Sequence, residues 1–188
     1  MKREEWAFII SLMVMLLMCS SYFFKKKSLY LAMQGSGIIF LMIAYILQRE
    51  YFAMIGLCIG LVRSVVYLLY EYKDKHIPIF WPFLFSALGV ACYFIINLGI
   101  LGDAKLFDII YLATLVLYMF THRIRNLELV RYFVLLPTAL SILYNILIKA
   151  VAFVAISYGF ELCANVVAII KYRLAKKKAS GEKINEKN

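Results

Sequence analysis

The chain has 188 residues, of which 64% are apolar and 17% are charged, and its mean hydropathy is +0.83. Soluble domains are about 45–50% apolar and about 25% charged, so a water-soluble fold of this size could not bury so much apolar surface. The formal net charge of +10 does not indicate nucleic-acid binding, because the basic residues form short runs that flank apolar segments. The composition predicts an integral membrane protein whose main partner is the lipid bilayer, with no nucleic acid.

Seven apolar segments approach or reach the length that a bilayer-crossing helix needs, about 17–25 residues. In chain order they are residues 6–24, 29–48, 51–70, 78–101, 106–121, 130–148 and 150–170. The last two are nearly continuous, but one helix across both would be about 60 Å long, twice the hydrocarbon thickness, so the chain must turn near Lys149. We predict a single all-α integral membrane domain over residues 1–178, followed by a polar, disordered cytoplasmic tail over 179–188.

The basic residues on the connections between these helices are unevenly distributed. With seven helices, the N-terminus and the connections after the second, fourth and sixth helices share one side of the membrane and have 5 Lys and Arg residues, whereas the other side has 15. Cytoplasmic connections carry the excess of Lys and Arg in membrane proteins. The sequence therefore predicts an N-terminus outside and a C-terminus in the cytoplasm.

Seven helices also allow an internal repeat of three helices, one linking helix and three more. The second triplet then has the same orientation as the first, as in parallel-repeat transporters. The third and seventh helices each have one charged residue at mid-span, Arg63 and Glu161, and both end in a basic–aromatic flank, "EYK" at 71–73 and "KYR" at 171–173. We expect two parallel three-helix bundles joined by a linking helix (3+1+3).

Two long stretches carry a resemblance to a known family. They are "GIIFLMIAYILQREYFAMIGLCIGLVRSVVYLL" at 37–69 and "YFVLLPTALSILYNILIKAVAFVAISYGFELCANVVAIIKYR" at 132–173. The chain resembles the YgjV-type bacterial inner-membrane proteins over most of its length. The most recognisable pieces are the mid-helix Arg63 and the "YN" at Tyr144–Asn145 before a short turn.

That family is similar in plan to the PQ-loop and SWEET group of small transporters. The resemblance implies a three-helix repeat around a central pathway, in a protein of the bacterial cytoplasmic (inner) membrane. In the alignment, the acidic residue usual in the family's last helix falls on Tyr158, and Glu161 lies one turn later.

Arg63 and Glu161 are the two charged residues deep within predicted helices. A charge at the bilayer centre costs about 2.5–3.5 kcal/mol on insertion scales, so both side chains should face the interior of the bundle. One interpretation is a central site in which Arg63 binds an anionic group or Glu161 carries a proton. The other is a mutual Arg63–Glu161 ion pair that holds the two bundles together. The sequence leaves both open.

Neutral polar residues extend the candidate site. Gln34, Asn145 and Asn165 lie within or near helices, where amides either contact a solute or join helices by hydrogen bonds worth about 0.5–2 kcal/mol each. Asn165 is one turn from Glu161 and on the same face. Tyr144 is the aromatic residue beside Asn145, at the turn between the last two helices.

The sequence contains no pattern typical of a catalytic or metal site. His76 and His122 fall in predicted cytoplasmic connections, the four cysteines are isolated, and no His, Cys, Asp and Glu cluster has metal-ligand spacing. We expect no enzyme activity, cofactor or metal. The two charges at mid-span, Arg63 and Glu161, favour a transporter or facilitator for a small polar or anionic solute. A non-transporting scaffold, assembly partner or sensor is the alternative, and a homo-oligomer stays open.

Overall fold

The structure, a computed structural model, describes residues 3–48, 51–95, 107–148 and 152–185. Within these ranges the chain forms helices and their connections, with no β-strand. The helices are α1 Arg3–Ser21, α2 Lys27–Gln48, α3 Tyr51–Tyr72, α4 Phe80–Cys92, α5 Asp108–Arg123, α6 Leu127–Leu147 and α7 Ala152–Asn185. They fall on the seven apolar segments, which confirms the all-α fold class.

Several helix ends differ from the predicted limits. α6 begins at Leu127, earlier than predicted, because the Asn126 side chain caps it by accepting a hydrogen bond from the backbone N–H of Glu128 at 2.9 Å. α7 continues to Asn185, through residues 179–185 for which the sequence favours a disordered tail. This continuation includes the good helix formers Ala179, Glu182 and Lys183, together with Gly181, which is a poor one. The predicted end of the fourth helix at residue 101 lies outside the described residues.

Four of the described helices are long and apolar enough to cross a membrane: Lys27–Leu47, Ala53–Tyr72, Leu127–Leu147 and Val154–Lys178. Two others, Phe8–Ser21 and Phe80–Ile95, are apolar but shorter. α5 has 16 residues. By length and composition, these helices have the pattern of a membrane protein.

Six of the helices form a closed ring. α1 packs against α2, α2 against α3, α3 against α5, α5 against α6, α6 against α7, and α7 returns to α1. α4 packs along α3 and α5. The first and last helices of the chain are therefore neighbours, and the ring encloses a common centre.

Hydrogen bonds between the helices show their relative directions. The Tyr111 hydroxyl donates to the carbonyl of Ala53 at 2.8 Å, which joins the beginnings of α5 and α3. The Tyr67 hydroxyl donates to the carbonyl of Met119 at 3.1 Å, which joins their ends. α3 and α5 thus run in the same direction, so the chain between them must return from one end of the ring to the other.

Apolar and polar side chains are distributed in the way that a lipid environment requires. Large apolar side chains point outward from the ring helices. Four examples, each more than half exposed, are Leu16, Val62, Phe133 and Val167. Most buried polar side chains point inward or between helices. Such an extensive exposed apolar surface is unfavourable in water and favourable in a bilayer.

A glycine allows α3 to approach α5 closely. A Cβ atom at Gly56 would lie 2.6 Å from Cε1 of Tyr111 and 3.0 Å from Cδ1 of Leu115. Gly56 and Gly60 form a small-xxx-small pair on the helix that carries Arg63, and such pairs favour close packing of membrane helices. In the structure Gly56 packs in this way, whereas Gly60 lines the central cavity, where a Cβ atom would meet only Ile38 Cδ1, at 3.9 Å.

Buried cations join the helices at one end of the ring. Lys27, at the beginning of α2, forms an ion pair with Glu71, at the end of α3, with an N–O distance of 3.1 Å. Arg131 in α6 donates from Nη2 to the carbonyls of Tyr22 and Phe24, both at 2.8 Å. These contacts connect α1, α2, α3 and α6 at the end where the sequence predicts the cytoplasm.

Candidate functional site

A cavity of about 60 Å³ lies at the centre of the ring. A single water needs at least about 10–15 Å³ of such space, so the cavity has room for a few waters or one small solute. All six ring helices contribute to its wall, and the lining residues are Met18, Gln34, Ile38, Leu41, Gly56, Leu57, Gly60, Arg63, Tyr111, Thr114, Leu115, Tyr118, Met119, His122, Ser141, Tyr158 and Glu161.

Arg63 lines this cavity from the middle of α3 and is 4% exposed. Its Nη2 donates to the neighbouring Ser64 hydroxyl at 3.2 Å, and that hydroxyl donates to the carbonyl of Gly60 at 2.8 Å. Nε is buried and has no hydrogen-bond partner within the described residues. The guanidinium is always charged and has five N–H donors, so most of its hydrogen-bonding capacity remains for the cavity.

Glu161 lines the same cavity from α7 and is 2% exposed. Its Oε1 accepts a hydrogen bond from the Tyr22 hydroxyl at 2.7 Å and a longer one from the Gln34 amide at 3.5 Å. The same Gln34 nitrogen also donates to the Ser21 hydroxyl at 2.9 Å. Tyr22, Gln34 and Ser21 therefore fix the position of the carboxyl group. Gln34 lines the cavity beside Glu161.

Arg63 and Glu161 do not form the mutual ion pair that the sequence left open. Among the described residues, the ion pairs within 4.0 Å are Lys27–Glu71 and Arg125–Asp74. The sequence predicts that Arg63 and Glu161 lie at similar depth, but it does not show whether their helices face each other. In the ring α3 and α7 are not neighbours, since α1 and α2 separate them on one side and α5 and α6 on the other. The two charges face one cavity from different walls.

Three of the predicted site residues lie away from the cavity and join helices. Asn165 donates from Nδ2 to the carbonyl of Arg131 at 2.7 Å, so it joins α7 to α6 and does not complete a site with Glu161. Asn145 accepts from the Tyr45 hydroxyl at 2.8 Å and donates to the carbonyl of Ser141 at 2.7 Å.

Tyr144, the neighbour of Asn145 in the chain, also packs between helices. Its ring lies 4.9 Å from that of Tyr111, and its hydroxyl donates to Asp108 at the long distance of 3.5 Å. None of Tyr144, Asn145 and Asn165 is among the residues that line the central cavity. In this conformation they have the helix-packing role that the sequence left as the alternative.

His122 is a cavity residue that the sequence analysis missed. We placed it in a cytoplasmic connection because it begins the basic run "HRIR", but it belongs to α5 and is 1% exposed. Its Nδ1 lies 2.9 Å from the carbonyl of Tyr118, and a carbonyl can only accept, so Nδ1 carries a proton. In the neutral ring Nε2 then accepts from the Tyr30 hydroxyl, 3.3 Å away. The helical register of α5, which continues to Arg123, would have indicated the inward position.

A row of aromatic residues leads from Glu161 to α5. The ring of Tyr22, whose hydroxyl contacts Glu161, packs edge-on against Tyr30 with centroids 5.6 Å apart. Tyr30 stacks on His122 at 5.7 Å, and His122 in turn contacts Tyr118 at 5.5 Å. Of this row, Tyr118 and His122 line the cavity, to which they contribute one hydroxyl group and one imidazole.

Metal binding has no basis in the part of the chain that the structure describes, where no group of three or more His, Cys, Asp or Glu side chains could hold an ion. The cavity presents one cation, one carboxyl group and several hydroxyl groups, which is a set suited to recognising a small polar molecule. No family model, curated protein or solved structure matches the chain.

Proposed function

We propose that this protein is a transporter or facilitator for a small polar solute, with its binding site in the central cavity beside Arg63. The observation that carries this proposal is the position of Arg63 and Glu161, two buried charged side chains that face one cavity and do not pair with each other. A membrane protein that needed only to fold would pair or omit such charges, because each is costly in an apolar surrounding.

We place the protein in the bacterial cytoplasmic (inner) membrane, as the resemblance to the YgjV-type proteins implies. The N-terminus is outside and the C-terminus is in the cytoplasm, as the 5-to-15 distribution of basic residues favours. In this orientation the Lys27–Glu71 pair and Arg131 lie at the cytoplasmic end of the cavity, where they hold α1, α2, α3 and α6 together.

The proposed architecture is a parallel 3+1+3 repeat, with α1–α3 and α5–α7 as the bundles and α4 as the linking helix. A two-fold axis along the membrane normal would exchange α1 with α5, α2 with α6 and α3 with α7. The ring contacts support this assignment, because the α3–α5 contact then becomes the α7–α1 contact. The parallel direction of α3 and α5 supports it as well. The cavity lies between the bundles, where transporters of this plan bind their solutes.

Filling the cavity tests the transport function directly. Gly60 lines the cavity, and a Cβ atom there would meet only Ile38 Cδ1, at 3.9 Å. Gly60→Leu should therefore occupy the cavity without disturbing the helix packing. Gly159→Leu is the matched control, because a Cβ atom at Gly159 has nothing within 4 Å and Gly159 does not line the cavity.

The measurement has two stages. A panel of small polar solutes is screened for those that raise the midpoint of thermal unfolding of the purified wild-type protein, and each hit is tested for uptake into proteoliposomes. We expect a hit that is taken up by the wild type and by Gly159→Leu, and neither binding nor uptake in Gly60→Leu. Equal behaviour of Gly60→Leu and the wild type towards every solute would rule out the cavity as a transport site.

That last result would favour the alternative function, a non-transporting scaffold, assembly partner or sensor. Such a protein would use its outer surface and would tolerate a filled cavity. A homo-oligomer stays a prediction under either function, but transport does not require one, because the six helices of a single chain already surround the cavity.

A further inference from the structure

The two charged walls of the cavity indicate the chemical class of the solute. Arg63 and Glu161 have opposite signs, so the cavity is neutral as a whole when both are ionised. Neither group is neutralised by the other, since the distance between them exceeds that of an ion pair. A bound molecule that complements only one of them would leave the other without a counter-charge.

Arg63 has the geometry to bind a carboxylate. Its single hydrogen bond goes to a serine hydroxyl, and its Nε is nine-tenths or more buried with no partner among the described residues. The two parallel N–H groups of a guanidinium fit the two oxygens of a carboxylate in a bidentate arrangement, which is stronger and more specific than contact with a neutral oxygen.

Glu161 has the complementary geometry for an ammonium group. Both of its protein donors, Tyr22 and Gln34, go to Oε1. Within the described part of the chain Oε2 accepts no hydrogen bond. The donors hold the carboxyl group in place while leaving one oxygen for a cation, and an ammonium group can donate up to three hydrogen bonds.

We infer that the cavity binds a small zwitterion with a carboxylate on Arg63 and an ammonium group on Glu161, an inference that rests on the proposed transport function. Such a molecule satisfies both charges and adds no net charge to the membrane interior. A monoanion or a monocation leaves one buried charge unpaired, and sites of this kind reject molecules that leave their polar groups unpaired. The small cavity volume favours a molecule with a short chain between its two charges.

The test compares zwitterions with analogues that lack one charge. The zwitterionic probes are glycine, L-alanine, β-alanine and 4-aminobutyrate, which differ in the separation of their charges. The single-charge probes are propionate and ethylamine, and glycerol is the neutral probe. Binding to the purified full-length protein is measured as the shift of the thermal unfolding midpoint with probe concentration.

We expect at least one zwitterion to stabilise the wild-type protein, and propionate, ethylamine and glycerol to have no effect. Arg63→Gln should weaken binding of that zwitterion by about 10- to 100-fold, the usual loss for a hydrogen bond to a charged group, and should allow ethylamine to bind through Glu161. Glu161→Gln should weaken the zwitterion similarly and allow propionate to bind through Arg63. Arg125→Gln, which removes an exposed cation outside the cavity, should change nothing.

The reciprocal gain of single-charge binding separates a direct role from a merely structural one, because a variant that only loosened the fold would gain no new specificity. The inference would be overturned if the wild type bound propionate, ethylamine or glycerol tightly and bound none of the zwitterions. That result would not contradict the transport function. Lack of any effect of all seven probes on the wild type would overturn the inference as well. Failure of the transport function is seen separately, in the Gly60→Leu comparison.

Discussion

Arg63 and Arg131 are both buried arginines, and their surroundings give them different roles. Arg131 donates to the carbonyls of Tyr22 and Phe24, and its guanidinium lies 3.9 Å from the centre of the Tyr172 ring. Backbone carbonyls that have no helical partner are good acceptors for such a cation. Arg131 therefore fastens the α1–α2 connection to α6 and α7, whereas Arg63 faces the cavity, where we propose that it binds a solute.

Replacement of Arg131 should destabilise the fold. Arg131→Gln removes two charge-assisted hydrogen bonds and a cation–π contact, so we expect the free energy of unfolding to fall by about 2–4 kcal/mol. Arg125→Gln is the matched control, because Arg125 pairs with Asp74 at an exposed position and such pairs contribute about 0–1 kcal/mol. Thermal unfolding in the same detergent gives both values. Similar losses in the two variants would contradict the fastening role of Arg131.

The side chains that face the cavity were predictable from the sequence only where burial alone decides their direction. The cost of a charge in lipid was enough to predict that Arg63 and Glu161 turn inward. Whether Arg63 and Glu161 pair directly depends on which helices are neighbours, and the hydropathy of the sequence does not contain that information. The basic run that begins at His122 predicts the end of a helix, but α5 continues through His122 to Arg123, so the sequence does not indicate that His122 lies in the cavity wall. The partners of Asn145 and Asn165 lie on other helices, which sequence spacing does not specify.

At the scale of the helices, apolar runs predicted the seven elements and were less informative about their ends. Helix ends depend on local hydrogen bonds and helix propensity, such as the Asn126 cap of α6 and the continuation of α7 through the helix formers Ala179, Glu182 and Lys183. The small residues on α3 predicted a close approach to a neighbour but not the identity of that neighbour, which is α5.

The close packing of α3 and α5 can be tested with one methyl group. Gly56→Ala would place a Cβ atom against Tyr111, whose ring is held by the hydrogen bond to Ala53 and by the contact with Tyr144. We expect the free energy of unfolding to fall by about 1–3 kcal/mol, as for other overpacked cores. Gly159→Ala should instead be neutral or stabilising by up to about 1 kcal/mol, since alanine is the better helix former and open space surrounds that position.

Thermal unfolding midpoints of the two variants, measured side by side, decide this prediction. A Gly56→Ala protein as stable as Gly159→Ala would show that Tyr111 can move away at no cost, and that the glycine is not needed for the approach of the two helices.

At the scale of the whole molecule, the proposed topology has one end of the chain on each side of the membrane. The excess of basic residues on the connections favours a cytoplasmic C-terminus. We expect a cytoplasm-active reporter fused after Asn188 to be active and a periplasm-active reporter there to be inactive. The opposite result is expected for fusions after Gln48, at the end of α2. An active periplasmic reporter after Asn188 would reverse the orientation and place the Lys27–Glu71 pair outside.

The ring also has a consequence for biosynthesis, because its closing contact joins the first helix to the last. The Ser157 hydroxyl donates to the carbonyl of Ser11 across a separation of 146 residues. A ribosome adds about 5–20 residues per second, so several seconds pass between the synthesis of α1 and that of its partner α7. During that interval Arg63 lies in a helix whose ring is still open. The nascent protein therefore depends on the insertion machinery, on water or on lipid headgroups to shield this charge until α7 joins α1 and closes the ring.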